Sequence, residues 1–498
     1  MKKLCIFLIL LISVFCRHPV VYEISTRPWL YELSKLYGKN ITKLRQIPLE
    51  EFDELANNGV DIVWMMGVWS LGDYGLEFDK KQIKEYSNHL PDITEEDIIG
   101  SPFAITKYEC NPEIGTDEDL IWLRRELNIR GMKLMLDFVP NHSAADHEQT
   151  ETNPNMYFKE HDEVFHDETR YNEKGFAYGS DRSLKPWKDV IQYNYWEPKT
   201  VEVMKNNLKK VLTLADAVRC DRAYLILNDV FRVSWEHELI ILNYTKPEKE
   251  FWTYAINEAK KINPNALFLG ESYDEDYYQK LIDVGFDYIY NRALLANLIS
   301  GATEVKAYLK TKDSSFMKTS CNFVENHDEL RIAFMAGGNL EKAKAMGTIA
   351  ATVGGMIFMN NGQLGGKTKK LDVHLRRATY EGDTAHMKNH YNKLNRVLLE
   401  TAFRGNNFYY VDNITGEKKD DFIAYIREDE NNHFLIVVNY SNEKGCANVP
   451  IYNIKGFKYA LIFDALNNIE YVKNHDDVKE GMRICLDAWE SHIYQYNY

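Results

Sequence analysis

Three short apolar runs in the sequence each end in a carboxylate. They are ADAVRCD, which ends at Asp221, ALFLGE, which ends at Glu271, and CNFVENHD, which ends at Asp328. Each run has the character of a buried strand, and each is followed by residues that start a turn or a helix. If parallel strands close into a barrel, acids at their C-terminal ends meet at one mouth. Several acids at one mouth are suited to cleaving a glycosidic bond.

The neighbours of two of these acids suggest different protonation states. Arg219 lies two residues before Asp221, so both side chains project from the same side of an extended strand. We expect this guanidinium to lower the pKa of Asp221, as a nucleophile requires. Glu271 has no adjacent cation in the sequence, and we expect partial burial beside the other acids to favour its protonated form, as a general acid requires. A structural Arg219–Asp221 ion pair and an exposed Glu271 are the alternatives.

Further polar side chains follow strand-like runs. LDFVPNH places Asp137, Asn141 and His142 at the end of one run, and His327 immediately precedes Asp328. Carboxylate and imidazole groups at such positions can form hydrogen bonds with the hydroxyl groups of a sugar. An isolated histidine is often structural, so the position just beyond a strand end supports a binding role more than the residue type does.

The elements that would position these residues alternate along the chain. Strand-like runs, separated by amphipathic helical stretches, lie at 20–25, 60–68, 131–139, 215–221, 266–271, 284–290, 319–326 and 355–361. They are short and continuously apolar, as parallel strands buried on both faces are. Eight such strands predict an α/β fold, the (β/α)8 TIM barrel. A doubly wound open sheet is disfavoured because no GxGxxG follows the first strand.

Two regions depart from this alternation. About 60 residues, at about 140–199, separate the third and fourth strands with little helical periodicity, which indicates a functional loop or a small inserted domain. Repeated β runs beyond residue 404 predict a separate antiparallel β-domain. We therefore divide the chain into a barrel at 17–404, which includes the insertion, and a C-terminal domain at 405–498. Cys446 and Cys485 in that domain are candidates for a disulfide in an oxidising compartment.

Residues 1–16 have the pattern of a cleavable signal peptide. Lys2 and Lys3 precede an apolar stretch of 13 residues, after which the sequence becomes polar at Arg17. A membrane-spanning helix needs about 20 apolar residues, so this stretch is too short for one. We expect a secreted protein without a spanning segment. A lipoprotein signal that ends at Cys16 and a buried N-terminal strand are the alternatives.

The composition narrows the range of partners. The 498 residues carry a formal charge of −14, and the sequence contains no basic cluster. Nucleic acid and anionic membrane surfaces are therefore disfavoured as partners, and a neutral substrate is favoured. The 32 tyrosines and 9 tryptophans would suit stacking on sugar rings, although we expect most of them to lie in the core. We expect a monomer.

Taken together, the motifs resemble those of one family. LDFVPNH, AVRCD, FLGE and FVENHD occur in this order and at suitable separations, as do the four short segments of the α-amylase superfamily of retaining glycoside hydrolases and transglycosylases, glycoside hydrolase family 13. Weaker similarity in SPFAITKYECNPEIGT and VIQYN extends the resemblance over most of the chain. It implies a barrel, an inserted domain B, a C-terminal domain C, and double displacement through a covalent glycosyl-enzyme.

The resemblance also implies roles for single residues. Asp221 would be the nucleophile, Glu271 the acid/base, and Asp328 the acid that distorts and stabilises the sugar, with Arg219 orienting Asp221. Phe103 stands where the family usually has a stacking tyrosine. The residues implied in substrate binding are Phe103, Asp137, His142, Arg219 and His327.

Four positions depart from the family pattern. Ala217 replaces a usual glycine, and Arg222 follows the nucleophile where a small or apolar residue is commoner, so that Arg222 is either structural or alters the acceptor side. Ala104 replaces an aspartate typical of exo-acting α-glucosidases, which argues against that specificity. Asn141 matches a common calcium ligand, but Gln192 stands where an aspartate ligand would be, and a hard cation prefers carboxylate oxygen. We expect no required cofactor, and calcium stays open.

The sequence therefore predicts a hydrolase that cleaves α-glucosidic bonds, α-1,4 in particular, in glucans or maltooligosaccharides. A transglycosylase with the same site is the first alternative, because water and a sugar hydroxyl can meet the same covalent intermediate. A non-catalytic binding protein related to this family is the alternative from another class. The presence of all three acids disfavours it.

Overall fold

The computed structural model of the protein describes residues 17–161, 167–181, 185–451, 459–474, 478 and 481–496. The predicted signal peptide at 1–16 lies outside the described residues. Eight parallel strands form a closed barrel, which confirms the predicted fold class. In chain order they are β1 (Val20–Ser25), β2 (Ile62–Met66), β3 (Lys133–Phe138), β4 (Ala217–Cys220), β5 (Leu267–Gly270), β6 (Tyr288–Tyr290), β7 (Ser320–Asn322) and β8 (Met356–Asn360).

The barrel closes because its strands are apolar on both faces. β2 and β8 are buried along their whole length, and sequential strands pair in parallel around the ring until β1 pairs with β8. One face of each strand fills the barrel interior and the other packs against the surrounding helices, so neither face can be polar without a specific partner. The barrel and its helices share one large apolar core.

The helices follow the expected amphipathic pattern. In Asp117–Ile129 the buried residues are Leu120, Leu123 and Leu127, one face of the helix, and the N-cap Thr116 forms a capping box with Asp119. The α-helices are Thr26–Tyr37, Leu49–Asn57, Asp73–Lys81, Ile83–Tyr86, Asp117–Ile129, Gln149–Thr152, Pro198–Leu214, Asn228–Ser234, Glu236–Ile241, Phe251–Ile262, Tyr278–Asp283, Arg292–Ser300, Ala302–Lys310, Ser314–Thr319, Ile332–Met335, Leu340–Thr352, Ala385–Val397 and Thr401–Arg404.

The long interval after β3 contains a small antiparallel sheet. Its strands are His142–Ala144, Tyr178–Gly179 and Trp187–Gln192, with Trp187–Gln192 in the centre. A second short pair, Trp69–Leu71 with Ile105–Cys110, follows β2. The inserted sheet sits where the sequence predicts a small domain, on the side of the barrel where the strands end.

The C-terminal region is an antiparallel β-domain with its own apolar cluster. Six strands form one sheet in the order Asn407–Tyr410, Phe422–Glu428, His433–Asn439, Ser491–Tyr496, Tyr459–Asp464 and Ile469–Asn474. Gly445–Val449 pairs with Met482–Leu486, and across this pair Cys446 and Cys485 form a disulfide, which confirms the candidate pairing.

One buried arginine connects this domain to the barrel. Arg427, on a central strand of the C-terminal sheet, is fully buried. Its guanidinium donates hydrogen bonds to the carbonyl oxygens of Val353 at 2.8 Å, Ala402 at 3.1 Å and Gly405 at 2.7 Å. Because Val353 lies between a barrel helix and β8, these bonds tie the two regions directly together.

Candidate active site

The barrel brings the three acids to its C-terminal mouth. Asp221 directly follows β4, and Glu271 directly follows β5. β4 and β5 are neighbours, with Cys220 opposite Gly270, so the two acids emerge side by side. Asp328 lies in the loop after β7, six residues beyond the strand end. The sequence-based prediction that the acids converge agrees with this placement, because all three belong to the same end of the barrel.

One guanidinium holds two of the acids together. The Arg219 side chain is fully buried, and its Nη1 lies 2.9 Å from Asp221 Oδ1 and 3.3 Å from Asp137 Oδ1. Its Nη2 lies 2.7 Å from Glu271 Oε2, an ion pair whose geometry is too bent for a hydrogen bond. The carboxylates of Asp221 and Glu271 therefore lie within the span of a single guanidinium group.

Aromatic rings surround this guanidinium. Its central carbon is 5.0 Å from the ring centre of Trp64, 5.3 Å from that of Phe103 and 5.9 Å from that of Tyr290. Such contacts favour a buried cation through the negative faces of the rings. Phe103, predicted as a platform for a sugar, thus also packs against Arg219. It lies 5.5 Å from the ring centre of His327.

Asp221 has one anchored and one open oxygen. Oδ1 accepts a hydrogen bond from Arg219, whereas Oδ2 makes no hydrogen bond to any residue that the structure describes. Burial raises the pKa of Asp221 to about 7, although the charge of Arg219 acts in the opposite direction. The sequence-based expectation of a lowered pKa is therefore wrong for the unliganded protein, because the desolvation of a buried carboxylate outweighs one neighbouring cation.

Glu271 is more deeply placed than the sequence predicts. The sequence predicts partial burial, whereas the side chain is fully buried. The sequence also places no cation next to Glu271, whereas Arg219 and Arg222 lie beside it in the fold. The backbone N–H of Arg222 donates a 2.7 Å hydrogen bond to Oε2, and Arg222 Nε lies 3.9 Å from Oε1. The carboxylate of Glu271 is thus held by an N–H donor on one side and lies between two guanidinium groups.

Arg222 faces the mouth, and its backbone is unusual. Its φ of 40° lies in the left-handed region, which non-glycine residues seldom adopt and which is costly unless the surroundings hold it. The side chain lies 3.6 Å from Asp181 and over the rings of Tyr273 at 5.0 Å and Trp187 at 5.8 Å. The structure places the Arg222 side chain beside the acids, since the backbone turns immediately after Asp221, and its role on the acceptor side stays a prediction.

Asp328 belongs to a second charged group. Its side chain is about one third exposed, and Oδ2 accepts a hydrogen bond from the Tyr273 hydroxyl at 2.9 Å. His327 Nε2 lies 3.6 Å from Asp328, and His327 Nδ1 lies 2.6 Å from Glu23. Burial opposes the charging of both groups, but their mutual attraction prevails: the pKa of His327 rises to about 9 and the pKa of Asp328 falls well below its usual range.

Two other predicted binding residues lie in different surroundings. Asp137 is buried beneath Arg219, with Oδ2 accepting a hydrogen bond from the Trp64 indole at 3.1 Å, and burial raises its pKa to about 6. It therefore supports Arg219 from below rather than facing the open mouth. His142 packs edge-on against Trp187 at 5.3 Å, and burial lowers its pKa to about 3, which favours the neutral ring.

Asn141, which matches a common calcium ligand of the family pattern, forms hydrogen bonds with Gln192. Asn141 and Gln192 are both buried, and Gln192 Nε2 donates to Asn141 Oδ1 at 3.0 Å while Asn141 Nδ2 donates to Gln192 Oε1 at 3.2 Å. The two amides thus satisfy each other. Calcium prefers carboxylate oxygens, and this pair supplies none. The donors at this position therefore do not fit a calcium ion.

Glu23 and Tyr273 are among the residues of the site that lie outside the sequence-based prediction. Glu23, on β1, forms a hydrogen bond with His327, and the Tyr273 hydroxyl donates a hydrogen bond to Asp328. Each has a signal in the sequence. Glu23 is a carboxylate within the apolar run VVYEIS, and Tyr273 stands two residues after Glu271. A charged residue inside a buried strand requires a partner, which makes such a position a candidate for a site.

A closed parallel barrel with three acids at its C-terminal mouth has the architecture of a barrel enzyme. A pair of neighbouring carboxylates at that mouth is the arrangement that glycosidases use. Comparison with known proteins identifies the family. Residues 103–398 match the model of the alpha-amylase catalytic domain, which is more than half of the chain. The chain therefore belongs to the alpha-amylase family of glycosidases.

Named relatives are distant in sequence. The chain is 22% identical over 384 residues to alpha-amylase 3 of Dictyoglomus thermophilum, a match that covers 72% of this chain and 66% of that protein. It is 23% identical over 401 residues to alpha-1,4-glucan:maltose-1-phosphate maltosyltransferase of Picrophilus torridus, covering 76% and 58%. The chain thus spans roughly three fifths of the length of these relatives.

Solved structures agree on the fold. A maltogenic alpha-amylase, AmyB, from Thermotoga neapolitana superposes with a TM-score of 0.69 at 19% identity, covering 96% of this chain and 99% of that one. The alpha-amylase from H. orenii gives a TM-score of 0.69 at 18% identity, covering 97% and 100%. In the part of the chain that the structure describes, no helix has both the length and the apolar character needed to cross a membrane.

Proposed function

We propose that the protein is a retaining glycoside hydrolase that cleaves α-1,4-glucosidic bonds of glucans or maltooligosaccharides. The observation that carries the proposal is the arrangement of Asp221. One oxygen is held by Arg219, the other is open, and the carboxylate of Glu271 lies on the same guanidinium. Retaining enzymes need their two carboxyl groups about 5–5.5 Å apart, and two carboxylates that share one guanidinium are suited to that spacing.

The first step joins the sugar to the protein. Asp221 Oδ2 attacks the anomeric carbon, the glycosidic C–O bond breaks, and Glu271 gives its proton to the departing oxygen. Asp328 and His327 hold hydroxyl groups of the same sugar. The Glu271 side chain that supplies this proton is fully buried, and Arg222 Nε lies 3.9 Å from its Oε1.

The second step releases the sugar. Water attacks the anomeric carbon, Glu271 accepts a proton from it, and the bond to Asp221 breaks, so the original configuration is restored. A sugar hydroxyl in place of water gives transfer. The similarity of the chain to a maltosyltransferase supports transfer as the second candidate reaction. We take hydrolysis as the primary function and propose no metal in either step.

The test compares two matched variants with the parent protein. Asp221→Asn keeps the size of the side chain and removes the nucleophilic charge, so we expect turnover of maltoheptaose to fall by at least a thousandfold. Asp229→Asn, at an exposed surface ion pair, is the control and should keep parental activity. Circular dichroism establishes that both variants are folded. Parental turnover by Asp221→Asn would exclude the proposed nucleophile.

Product analysis then separates the two candidate reactions. A time course on maltoheptaose, starch, pullulan and sucrose, followed by chromatography, distinguishes hydrolysis from transfer and internal from terminal cleavage. Proton NMR of the first product gives its anomeric configuration. Retention predicts the α-anomer from an α-linked substrate, and release of the β-anomer would contradict the double displacement. Secretion and the monomeric state stay predictions from the sequence.

A further inference from the structure

The sequence contains five copies of the acceptor motif for N-linked glycosylation, Asn-X-Ser/Thr. They begin at Asn40, Asn141, Asn243, Asn413 and Asn439, and in each the middle residue is not proline. A glycan is bulky and polar, so an acceptor asparagine in a folded protein lies on the surface. Because so short a motif also occurs by chance, the position of each copy in the fold decides whether it can carry a glycan.

Three of the five motifs lie on the surface. Their asparagines are exposed and stand in the connections that follow a helix or a strand: Asn40, Asn243 and Asn413. The threonines that complete these motifs are exposed as well: Thr42, Thr245 and Thr415. A glycan on any of these asparagines would extend into solvent and displace no residue of the core.

The other two asparagines are buried and already bonded. Asn439 is fully buried, and its Nδ2 donates hydrogen bonds to three backbone carbonyl groups at 2.8, 2.9 and 3.2 Å. Asn141 is buried too, and its Nδ2 donates to Gln192 at 3.2 Å. Because a glycan is attached through this same nitrogen, it would displace these bonds and occupy space that the core fills. A glycan at either position is therefore incompatible with the fold.

The helix before Asn243 leaves apolar surface uncovered. This helix, Glu236–Ile241, buries Leu239. Around its end, three consecutive apolar side chains are exposed: Ile240 at 71%, Ile241 at 41% and Leu242 at 36%. Single exposed apolar residues are ordinary, whereas a consecutive run of them promotes association unless something covers it.

Asn243 is placed to carry such a cover. Its backbone N–H donates a 3.1 Å hydrogen bond to the carbonyl oxygen of Ile240, so a turn brings the asparagine next to the apolar run. Its φ of 55° lies in the left-handed region, which asparagine adopts more readily than most residues. That preference alone accounts for an asparagine here, but it accounts neither for Thr245 nor for the exposed run.

Two features of the chain agree with the compartment in which this modification is made. Lys2, Lys3 and the apolar stretch after them predict a secretory signal. The disulfide between Cys446 and Cys485 is of a kind that persists in oxidising compartments. Both features are independent of the five motifs, and both indicate passage through the secretory pathway.

We propose that Asn40, Asn243 and Asn413 carry N-linked glycans, that Asn141 and Asn439 do not, and that the glycan at Asn243 covers the run at 240–242. The proposal rests on the predicted secretion and is independent of the catalytic assignment. The donor is a lipid-linked diphospho-oligosaccharide. Asparagine Nδ2 forms a bond to the anomeric carbon of its first sugar, the bond from that carbon to the diphosphate oxygen breaks, and the amide loses one proton.

Peptide mapping tests which asparagines are occupied. Protein from its natural source is treated with a peptide N-glycosidase in heavy-oxygen water, which converts each glycosylated asparagine into a labelled aspartate that mass spectrometry detects. We expect the label at the three exposed sites and at neither buried one. A label at Asn141 or Asn439, or its absence from an exposed site, would overturn the proposal.

Matched variants test the covering role of the glycan at Asn243. Thr245→Ala removes the motif and keeps the asparagine with its turn. Thr415→Ala is the control, because it also removes one glycan, but from a site preceded by the exposed, charged Asp412. The full chains are secreted from eukaryotic cells, and circular dichroism establishes that they are folded.

A hydrophobic dye and analytical ultracentrifugation then report the exposed apolar surface and self-association. We expect Thr245→Ala to bind at least about twofold more dye than the parent and to self-associate, and Thr415→Ala to do neither. Thr245→Ser restores the motif and should return the parental values. Equal dye binding by the two alanine variants would show that the glycan at Asn243 covers no apolar surface, and would overturn that part of the proposal.

Discussion

Arg219 offers the sharpest test of the site as a physical arrangement. It is fully buried and lies within 3.3 Å of three carboxylates, Asp137, Asp221 and Glu271. Replacement by alanine would leave these carboxylates buried without their common cation. Removal of one partner from a buried ion pair typically costs about 3–5 kcal/mol. Because total stabilities are about 5–15 kcal/mol, we expect Arg219→Ala to lose a large share of the free energy of unfolding.

Urea denaturation followed by tryptophan fluorescence measures this loss. Arg232→Ala is the control, because Arg232 forms an exposed ion pair with Glu236 at 2.9 Å and such pairs contribute about 0.5 kcal/mol. The loss in Arg219→Ala should shrink as the pH falls from 7 towards 4, since protonated carboxylic acids no longer need the cation. A loss below about 1 kcal/mol at pH 7, equal to that of the control, would refute the reasoning.

Three further predictions follow from pKa shifts and the disulfide. The pKa of His327 rises from 6.5 to about 9, so the charged imidazole contributes on the order of 3 kcal/mol to the free energy of unfolding. This contribution is complete below pH 6.5 and is lost as the pH rises towards 9. In denaturation measurements across that pH range, His327→Gln should remove this pH dependence of stability. The pKa of about 7 for Asp221 predicts that kcat/KM falls below pH 7; a flat profile to pH 5 would contradict it. Cys446→Ser should cost about 4 kcal/mol, for a disulfide spanning 39 residues; an unchanged Tm would contradict this.

Most of the framework was predictable because it depends on patterns that are local in the sequence. Most barrel strands lie in short, largely apolar runs, as parallel strands buried on both faces do. Asp221 and Glu271 follow such runs directly, so their meeting at one mouth follows from the topology. In the C-terminal domain, Ile469–Asn474 is an edge strand with a largely exposed face, so its sequence lacks the continuous apolar character that marks a buried strand.

The electrostatics of the site were not predictable in the same way. The pKa of Asp221 depends on its burial, and the sequence shows only its neighbour Arg219. The hydrogen bond that Glu271 accepts depends on the left-handed turn at Arg222, which places that backbone N–H against the carboxylate. Burial and contacts between distant residues are properties of the whole fold, and both can outweigh a neighbour in sequence.

The link made by Arg427 has a consequence for how the molecule comes apart. The three carbonyl groups that it binds belong to the barrel and to the segment that leaves it. If the C-terminal sheet unfolded alone, these buried carbonyl groups would lose their hydrogen-bond donor. The space that the Arg427 guanidinium fills between them would be left empty. The sheet and the barrel are thus coupled into one cooperative unit, and a chain truncated after the barrel would carry an unsatisfied polar surface where the sheet had been.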